Sequence, residues 1–334
     1  MFVKLYEKIK EFIKKEYKAL ILDIVIIFLL LFKLPFYIDF PGGIIDISKR
    51  ITVGEKTETE GSLNFAYVSE MKATIPAYLF AKINPNWDIV PKEEVLMNGT
   101  EEEAAFIDKI SYKESISNAL YNGFKESNKK FNIKNEKIYV KYIFEEAKTD
   151  LKLGDQILKV NGTKVESIEQ LKELTNQEEG KQITITVLKD EKEYERTATL
   201  IKIKDRIVVG IALSETYDIE SDYKIDINYK TRESGPSGGL MMSLAVYQDL
   251  INKDITKGKK IVGTGTIDKE GNVGQIGGVK YKLIGAVKKK ADIFLAPSGE
   301  NYEEAIKIKN EKNYKIKIIG VSTLKEALDE LNKI

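Results

Sequence analysis

The stretch Gly235-Pro236-Ser237-Gly238-Gly239 runs directly into an apolar segment, and the pattern predicts a helix over about Gly238–Leu250. A serine at the start of a helix has unpaired backbone N–H groups beside it and the positive end of the helix dipole behind it. Such groups can stabilise the oxyanion of a tetrahedral intermediate, which makes Ser237 a candidate nucleophile. The glycines at 235, 238 and 239 would let a substrate backbone approach closely. On this stretch alone, the alternative is a serine that only caps a tight turn.

The chain of 334 residues contains no histidine and no cysteine. This absence excludes Ser-His-Asp and Cys-His sites, and also zinc sites built on histidine and cysteine. The proton of Ser237 would have to go to a carboxylate, a tyrosine or a lysine. A second glycine-framed segment, Gly277-Gly278-Val279-Lys280-Tyr281-Lys282, supplies lysines at the start of another predicted helix. The residues therefore favour a Ser-Lys dyad, a known variant of the catalytic triad.

The overall composition narrows the classes of function. The length suits two or three domains, and the formal net charge is +1, which argues against a dedicated nucleic-acid-binding protein. No P-loop motif is present, because Gly258-Lys259-Lys260 lacks both the upstream glycine and the Ser or Thr. We therefore expect no nucleotide, metal or other cofactor.

The first forty residues resemble a membrane anchor. The run from Ala19 to Ile38 is about 20 residues long, enough for one bilayer crossing. The charge bias before it predicts a cytoplasmic N-terminus over residues 1–18 and everything after about residue 40 outside. The alternative is a cleaved signal peptide, but bulky Leu34-Pro35-Phe36-Tyr37 does not resemble a cleavage site. The lysines responsible for the bias are Lys4, Lys8, Lys10, Lys14, Lys15 and Lys18.

Residues 39–134 are expected to form a connecting scaffold of short strands and helices. Thr100-Glu101-Glu102-Glu103 has the pattern of a capping box and predicts the start of a helix that runs to about Ser127. No catalytic motif was identified in this region.

Residues 135–204 read as strand, turn, strand, Asn-Gly turn, helix and two further strands. At their centre lies Leu151-Lys152-Leu153-Gly154-Asp155-Gln156-Ile157-Leu158-Lys159-Val160-Asn161-Gly162, and this order resembles a PDZ domain of the bacterial type. The resemblance implies that an extended peptide adds as a strand to a sheet edge, with Ile138–Phe144 as the capturing strand. A purely structural module is the alternative.

The segment from about 231 to 300 resembles the proteolytic domain of the Lon family. The Gly-Pro-Ser block, the strand Thr264-Gly265-Thr266-Ile267-Asp268 and the Gly-Gly-Val-Lys-Tyr-Lys block occur in the order and near the spacing of that family. The whole layout resembles the membrane-anchored Lon-like PDZ proteases of bacteria. This resemblance implies an α+β fold: a transmembrane helix over 19–38, a β-rich PDZ-like domain over 135–204, and a Lon-type domain of mixed sheet and helices over 205–334.

The resemblance also assigns roles to individual residues. Ser237 matches the nucleophile, and Lys282, four residues after the second glycine of its block, matches the general base. Thr264 matches a threonine that orients the lysine, and Gly238 supports the site beside the nucleophile. Lys280 remains the alternative base. Classical Lon proteases carry Lys-Asp before the serine block, where this chain has Glu233-Ser234. The Lon-like PDZ group also lacks that Asp, so the resemblance does not imply a loss of activity.

A lysine base must be largely neutral to work. Free lysine has a pKa of about 10.4, and lowering it to about 7.5 corresponds to about 4 kcal/mol. Burial or a nearby positive charge can supply this, so we expect Lys282 to be buried. The expected function is then an ATP-independent, membrane-anchored serine endopeptidase that cleaves extracytoplasmic peptides or unfolded proteins, and the resemblance implies a homo-oligomer. The alternatives are a catalytically inactive peptide-binding adaptor and a signal-peptidase-like enzyme.

Overall fold

A computed structural model describes residues 2–96, 99–228 and 235–334. Its helices are α1 (Phe2–Leu31), α2 (Ile75–Ile83), α3 (Lys92–Leu96), α4 (Glu101–Glu126), α5 (Ile168–Thr175), α6 (Gly239–Ile251), α7 (Val279–Lys288), α8 (Glu300–Glu311) and α9 (Leu324–Asn332). Its strands are β1 (Lys33–Asp46), β2 (Ile51–Val53), β3 (Ser62–Thr74), β4 (Asp88–Pro91), β5 (Asn132–Ile143), β6 (Lys148–Thr149), β7 (Gln156–Val160), β8 (Thr163–Lys164), β9 (Gln182–Lys189), β10 (Lys192–Thr199), β11 (Ile201–Ile203), β12 (Arg206–Val208), β13 (Ile211–Glu220), β14 (Ile225–Ile227), β15 (Lys260–Gly263), β16 (Thr266–Ile267), β17 (Val273–Gly274), β18 (Ile293–Pro297) and β19 (Lys317–Val321).

The chain divides into two compact units. Unit 1 comprises the residues up to Pro41 together with Ser69–Val95, and unit 2 comprises Gly42–Val68 and Leu96–Ile334. In unit 1, β1 and β4 pair in antiparallel fashion from Phe36 opposite Pro91 to Asp39 opposite Asp88. Every candidate site residue lies in unit 2.

The predicted transmembrane helix over 19–38 is wrong. Helix α1 ends at Leu31, and the chain enters strand β1 at Lys33, so only Ala19–Leu31 of the predicted span is helical. At 1.5 Å per residue this part is about 20 Å long, short of the roughly 30 Å of a bilayer core. Within the described residues, no helix combines the length and the apolar character needed to cross a membrane. The predicted single-pass membrane localisation, with its extracytoplasmic catalytic domain, is therefore wrong as well.

The predicted fold class, α+β with an N-terminal transmembrane helix, is also wrong. The fold is mixed α/β. In unit 2, strands β3, β15, β18 and β19 are parallel neighbours. Helix α7 connects β15 to β18 and helix α8 connects β18 to β19, as crossovers between parallel strands require. The sequence showed these strands and helices singly, but it did not show that the strands pair in parallel.

The parallel sheet is covered on both faces. Along β3, Phe65 packs in one core with α4, α6 and α9, whereas the next residue, Ala66, packs in another with α7 and α8. This is the alternation expected of a strand buried on both sides. Helices α6 and α7 therefore lie on opposite faces of one sheet.

The larger core joins segments that are far apart in the sequence. Residues of the predicted connecting scaffold, such as Ile47 in the turn after β1, Leu63 in β3 and Phe124 in α4, pack in the same cluster as Leu240 and Leu244 of α6. Helix α4 begins with the predicted capping box: the Thr100 hydroxyl accepts from the Glu103 amide, and the Glu103 carboxylate accepts from the Thr100 amide. The predicted domain boundaries themselves stay predictions.

Residues Asn132–Glu220, which we call the β-module, form a sheet in the order β13-β5-β7-β9-β10-β6 with a core of its own. Strand β13 pairs with β5 from Ile211 opposite Ile143 to Glu220 opposite Asn132. The Phe144 amide, just beyond β5, donates to the Gly210 carbonyl. The edge on which we expected peptide capture at Ile138–Phe144 is thus already filled by β13. The PDZ assignment stays a prediction.

Candidate active site

Ser237 lies half-buried in the turn that leads into α6, close to the predicted helix start. The N-cap of α6 is Gly238, which makes no side-chain capping bond. The first N–H groups of a helix have no partner within the helix itself. The turn therefore places the Ser237 hydroxyl at a helix N-terminus, where the electrostatics favour negative charge.

The backbone of the serine turn is tied to the segment that follows β15. The Ser237 carbonyl accepts from the Gly265 amide at 2.8 Å and from the Thr264 hydroxyl at 3.1 Å. The Leu240 amide in turn donates to the Gly265 carbonyl at 3.1 Å. Thr264 is fully buried, and its side chain contacts the backbone carbonyl of the candidate nucleophile. Its expected role in orienting the lysine stays a prediction.

A residue that the sequence analysis missed holds the other side of the same turn. The Ser115 hydroxyl of α4 donates to the Pro236 carbonyl at 3.0 Å, which also accepts from the Gly239 amide at 3.3 Å. A signal was present in the sequence: Ser111, Ser115, Asn118 and Asn122 follow helical spacing, and all four are buried. This polar stripe accompanies the buried apolar residues of α4, such as Ile116 and Phe124, and was not interpreted as functional.

Close packing explains the second glycine after the serine. A Cβ on Gly239 would lie 2.9 Å from both the Ser115 hydroxyl and the Ile267 side chain, closer than such atoms can approach. A Cβ on Gly238 would make only ordinary contacts, the nearest at 3.5 Å with Met242. Gly239 is therefore required by the packing, whereas the supporting role predicted for Gly238 would rest on its backbone.

Lys282 is buried, as expected, in the first turn of α7, with 3% of its surface exposed. Its helix neighbours Val279 and Leu283 belong to the core between α7 and the sheet. Burial in these surroundings disfavours the ammonium and lowers the pKa of Lys282 to about 8. Within the described part of the chain, the structure gives this ammonium no salt-bridge partner. Near pH 8, a substantial fraction of Lys282 is a neutral amine.

The other bases considered differ from Lys282. Lys280 is half-exposed, and its ammonium lies 5.1 Å from the centre of the Tyr281 ring. Two residues apart on a helix, Lys280 and Lys282 cannot face the same way. Glu233 falls outside the described residues, as does Ser234.

Helices α6 and α7, which follow Ser237 and carry Lys282, begin on opposite faces of the parallel sheet near the carboxyl end of β15. The start of α6 lies over Phe65 of β3, since a Cβ on Gly238 would be 3.6 Å from that ring. The start of α7 lies beside Val68 of the same strand, 2.7 Å from a Cβ built on Gly278. Both helices thus begin near residues 65–68, where β15 ends and Thr264 follows. Carboxyl ends of parallel strands are the usual place for active sites in such sheets.

The segment that leads into α7 is fixed by a second residue that the sequence analysis missed. The buried Asn301 side chain of α8 accepts from the Ile276 amide at 2.8 Å and donates to the Ile276 carbonyl at 3.0 Å. Gly278 follows in a left-handed conformation with φ of 68°. Asn301 gave no signal in the sequence, because an asparagine in the first turn after Ser298-Gly299 reads as an ordinary helix start.

A cleft of about 270 Å³ opens beside Pro236. Its walls are α4 with Glu114, Ser115 and Asn118, the hairpin of β16 and β17, and Lys141 of the β-module. The lining mixes polar and apolar groups and carries both signs of charge. Among the described residues, no group of three or more acidic side chains is placed to hold a metal ion.

Comparison with known proteins finds one family. The profile of the Lon protease (S16) C-terminal proteolytic domain matches residues 152–333, more than half of the chain. The chain is 34% identical over 133 residues to the Lon protease of Campylobacter jejuni; the alignment covers 39% of this chain and 16% of that protein. It is 30% identical over 113 residues to the Lon protease of aster yellows witches'-broom phytoplasma, an alignment that covers 34% of this chain and 14% of that protein. It is 31% identical over 96 residues to the Lon protease of Endomicrobium trichonymphae, an alignment that covers 29% of this chain and 12% of that protein. The chain thus spans at most about a sixth of the length of these relatives.

Proposed function

The chain belongs to the Lon protease family through its C-terminal proteolytic domain, and from this premise we propose that it is a serine endopeptidase with a Ser237–Lys282 dyad. The family supports a serine-type peptidase. The observation that carries the finer proposal is the burial of Lys282, which lowers its pKa to about 8 in a chain without histidine or cysteine. A buried structural lysine would normally be paired with a carboxylate, and Lys282 has no such partner among the described residues.

In the proposed mechanism, neutral Lys282 removes the proton of the Ser237 hydroxyl as its oxygen attacks the scissile carbonyl. At the start of α6 the Gly239 and Leu240 amides already donate to the Pro236 and Gly265 carbonyls, so in this mechanism the preceding N–H groups, those of Ser237 and Gly238, stabilise the oxyanion that forms. Protonated Lys282 then donates its proton to the leaving amine, which leaves an ester on Ser237. Water attacks this ester, and Lys282 acts as the base a second time.

We further propose that cleavage of flexible peptides by this chain needs no nucleotide. The support is that these 334 residues contain no P-loop motif. Capture of substrate by strand addition at Ile138–Phe144 is not part of the proposal, since β13 fills that edge.

Peptide hydrolysis by single and double variants tests the proposal. Ser237→Ala and Lys282→Ala should each abolish cleavage of an unstructured fluorogenic peptide, and the double variant should be no worse, because members of a dyad act as a unit. Lys280→Ala, on the same helix but half-exposed, is the matched control and should keep most activity. An active Lys282→Ala enzyme with an inactive Lys280→Ala enzyme would transfer the role of base to Lys280. An inactive wild-type protein that still binds peptides would favour the adaptor.

A further inference from the structure

Two adjacent residues of α4 connect the serine turn to the β-module. Ser115 donates to the Pro236 carbonyl at 3.0 Å. On its other side, the Glu114 carboxylate accepts from the Ser214 hydroxyl at 2.6 Å and from the Glu215 amide at 3.1 Å. Both of these partners lie on β13. The Lys141 ammonium of β5 lies 3.6 Å from the same carboxylate.

Strand β13 also contacts the opposite wall of the cleft. The Lys269 ammonium, at the turn between β16 and β17, lies 3.2 Å from the Glu215 carboxylate and 4.9 Å from the centre of the Tyr217 ring. The Tyr217 hydroxyl donates to Asn118, whose amide donates to the Ile267 carbonyl of β16. Glu215 therefore contacts both walls of the cleft. Its amide donates to Glu114 of α4, and its carboxylate pairs with Lys269 at the turn of the hairpin.

The bond from Ser115 restrains the peptide unit that carries the nucleophile. The peptide between Pro236 and Ser237 is planar, so fixing the direction of the Pro236 carbonyl also fixes the direction of the Ser237 N–H. Gly238 provides no side-chain cap, and Ser115 adds a different restraint from another helix, because its hydroxyl donates to the Pro236 carbonyl instead of accepting from a helix N–H group. Without Ser115, the Pro236 carbonyl keeps only the longer bond of 3.3 Å from the Gly239 amide, so the peptide plane is held less firmly and the Ser237 hydroxyl is less well aligned with the substrate.

We propose that Ser115 is a positioning residue for Ser237, held in place by the contact of Glu114 with β13. The inference rests on the proposed function. It gives the β-module a role in catalysis that does not depend on capturing substrate at β5: strand β13 fills that edge and holds α4, and α4 orients the serine turn.

Ser117 provides a matched control two residues along the same helix. It is equally buried, and its hydroxyl donates to the Tyr217 carbonyl at 2.6 Å and accepts from the Tyr217 amide at 3.0 Å. It thus ties α4 to β13 without touching the serine turn. Ser117→Ala removes two bonds to the Tyr217 backbone, whereas Ser115→Ala removes one bond and leaves the Pro236 carbonyl its bond from the Gly239 amide. Ser117→Ala should therefore lose at least as much stability as Ser115→Ala, while the Glu114 bonds to β13 stay in place in both variants.

The test measures kcat and KM for an unstructured peptide, the pH profile and the melting temperature. Ser115→Ala should lower kcat by about 10- to 100-fold, because small misplacements of a reacting group have effects of that size. Its KM and the midpoint of its pH profile should stay unchanged, since Lys282 is untouched. Ser117→Ala should keep kcat within about twofold although its melting temperature falls at least as much as that of Ser115→Ala. Ser115→Cys, of nearly the same size but a weak donor, should fall between wild type and Ser115→Ala and serves if the alanine variant does not fold.

Equal kcat values for Ser115→Ala and Ser117→Ala would overturn the inference, as would a change confined to KM. If Ser115→Ala does not fold, a Ser115→Cys enzyme with wild-type kcat would overturn it equally. These outcomes leave the proposed function intact, because they presuppose an active wild-type enzyme. A wild-type enzyme that cleaves no peptide would refute the proposed function itself.

Discussion

Replacement of Lys282 by methionine should abolish activity and stabilise the protein at neutral pH. The wild-type side chain is 3% exposed, with a pKa of about 8 against an ordinary value of 10.5. Methionine has a similar shape and no charge, and it fills irregular core space well. The substitution therefore removes the ammonium from the apolar core without leaving a large cavity.

The size of the effect and its pH dependence follow from proton linkage. The folded-state pKa is lowered, so between pH 8 and 10.5 the unfolded chain binds more protons, and stability of the wild type rises with pH across this window. Below pH 8, Lys282 is charged in both the folded and the unfolded state. The cost of burying its ammonium, about 3 kcal/mol, then acts in full against folding. We expect the methionine variant to be more stable by about 3 kcal/mol at pH 7 and by only about 1.5 kcal/mol at pH 9.5.

Urea denaturation of both proteins at pH 7, 8.5 and 9.5 measures this difference. The control is Lys280→Met on the same helix, which should change the free energy of unfolding by less than about 1 kcal/mol, as surface substitutions usually do. The reasoning would be refuted if Lys282→Met were destabilised at pH 7, or if its gain in stability did not shrink as the pH rises.

Other predictions concern Lys282 and the segments that hold the start of α7. kcat/KM of the wild type should rise with pH to a plateau, with a midpoint near the pKa of about 8 of Lys282; a profile that is flat from pH 6 to 9.5 would contradict a lysine base. Lys282→Arg should be inactive in peptide hydrolysis although it keeps the charge, because guanidinium does not lose its proton. Gly278→Ala should lower the melting temperature and the activity, since a Cβ there would lie 2.7 Å from Val68, whereas Gly277→Ala, with no atom within 4 Å, should be tolerated. Asn301→Ala should lower kcat and stability together, because both backbone groups of Ile276 lose their partner; retention of wild-type kcat would show that α7 needs no such support.

Short motifs with a local mechanism were read correctly from the sequence. The helix after Ser237, the burial of Lys282 and the capping box at Thr100 each depend on a few neighbouring residues, and each agrees with the structure. The Lon family, too, was identified from the order and spacing of the serine block, the strand Thr264–Asp268 and the lysine block, although the membrane anchor and the PDZ domain of the predicted layout are not shown.

Features that depend on distant parts of the chain were missed or wrong. The apolar run over 19–38 looked continuous, but its last residues form β1. Strand β13 was not predicted to fill the edge of β5, because pairing between strands about 80 residues apart leaves no local pattern. Ser115 was missed although it lies in a polar stripe of helical spacing, because such a stripe does not indicate a partner that is 121 residues away at Pro236.

The most direct test of the Ser237–Lys282 dyad is acylation of the enzyme by a small fluorophosphonate, followed by peptide mapping and by labelling rates at several pH values. The account predicts one adduct on Ser237, a labelling rate that rises with a midpoint near pH 8, and labelling at least 100-fold slower in Lys282→Met, in line with the effect of losing a general base. An adduct on a different serine, or a Lys282→Met protein labelled at the wild-type rate, would contradict it.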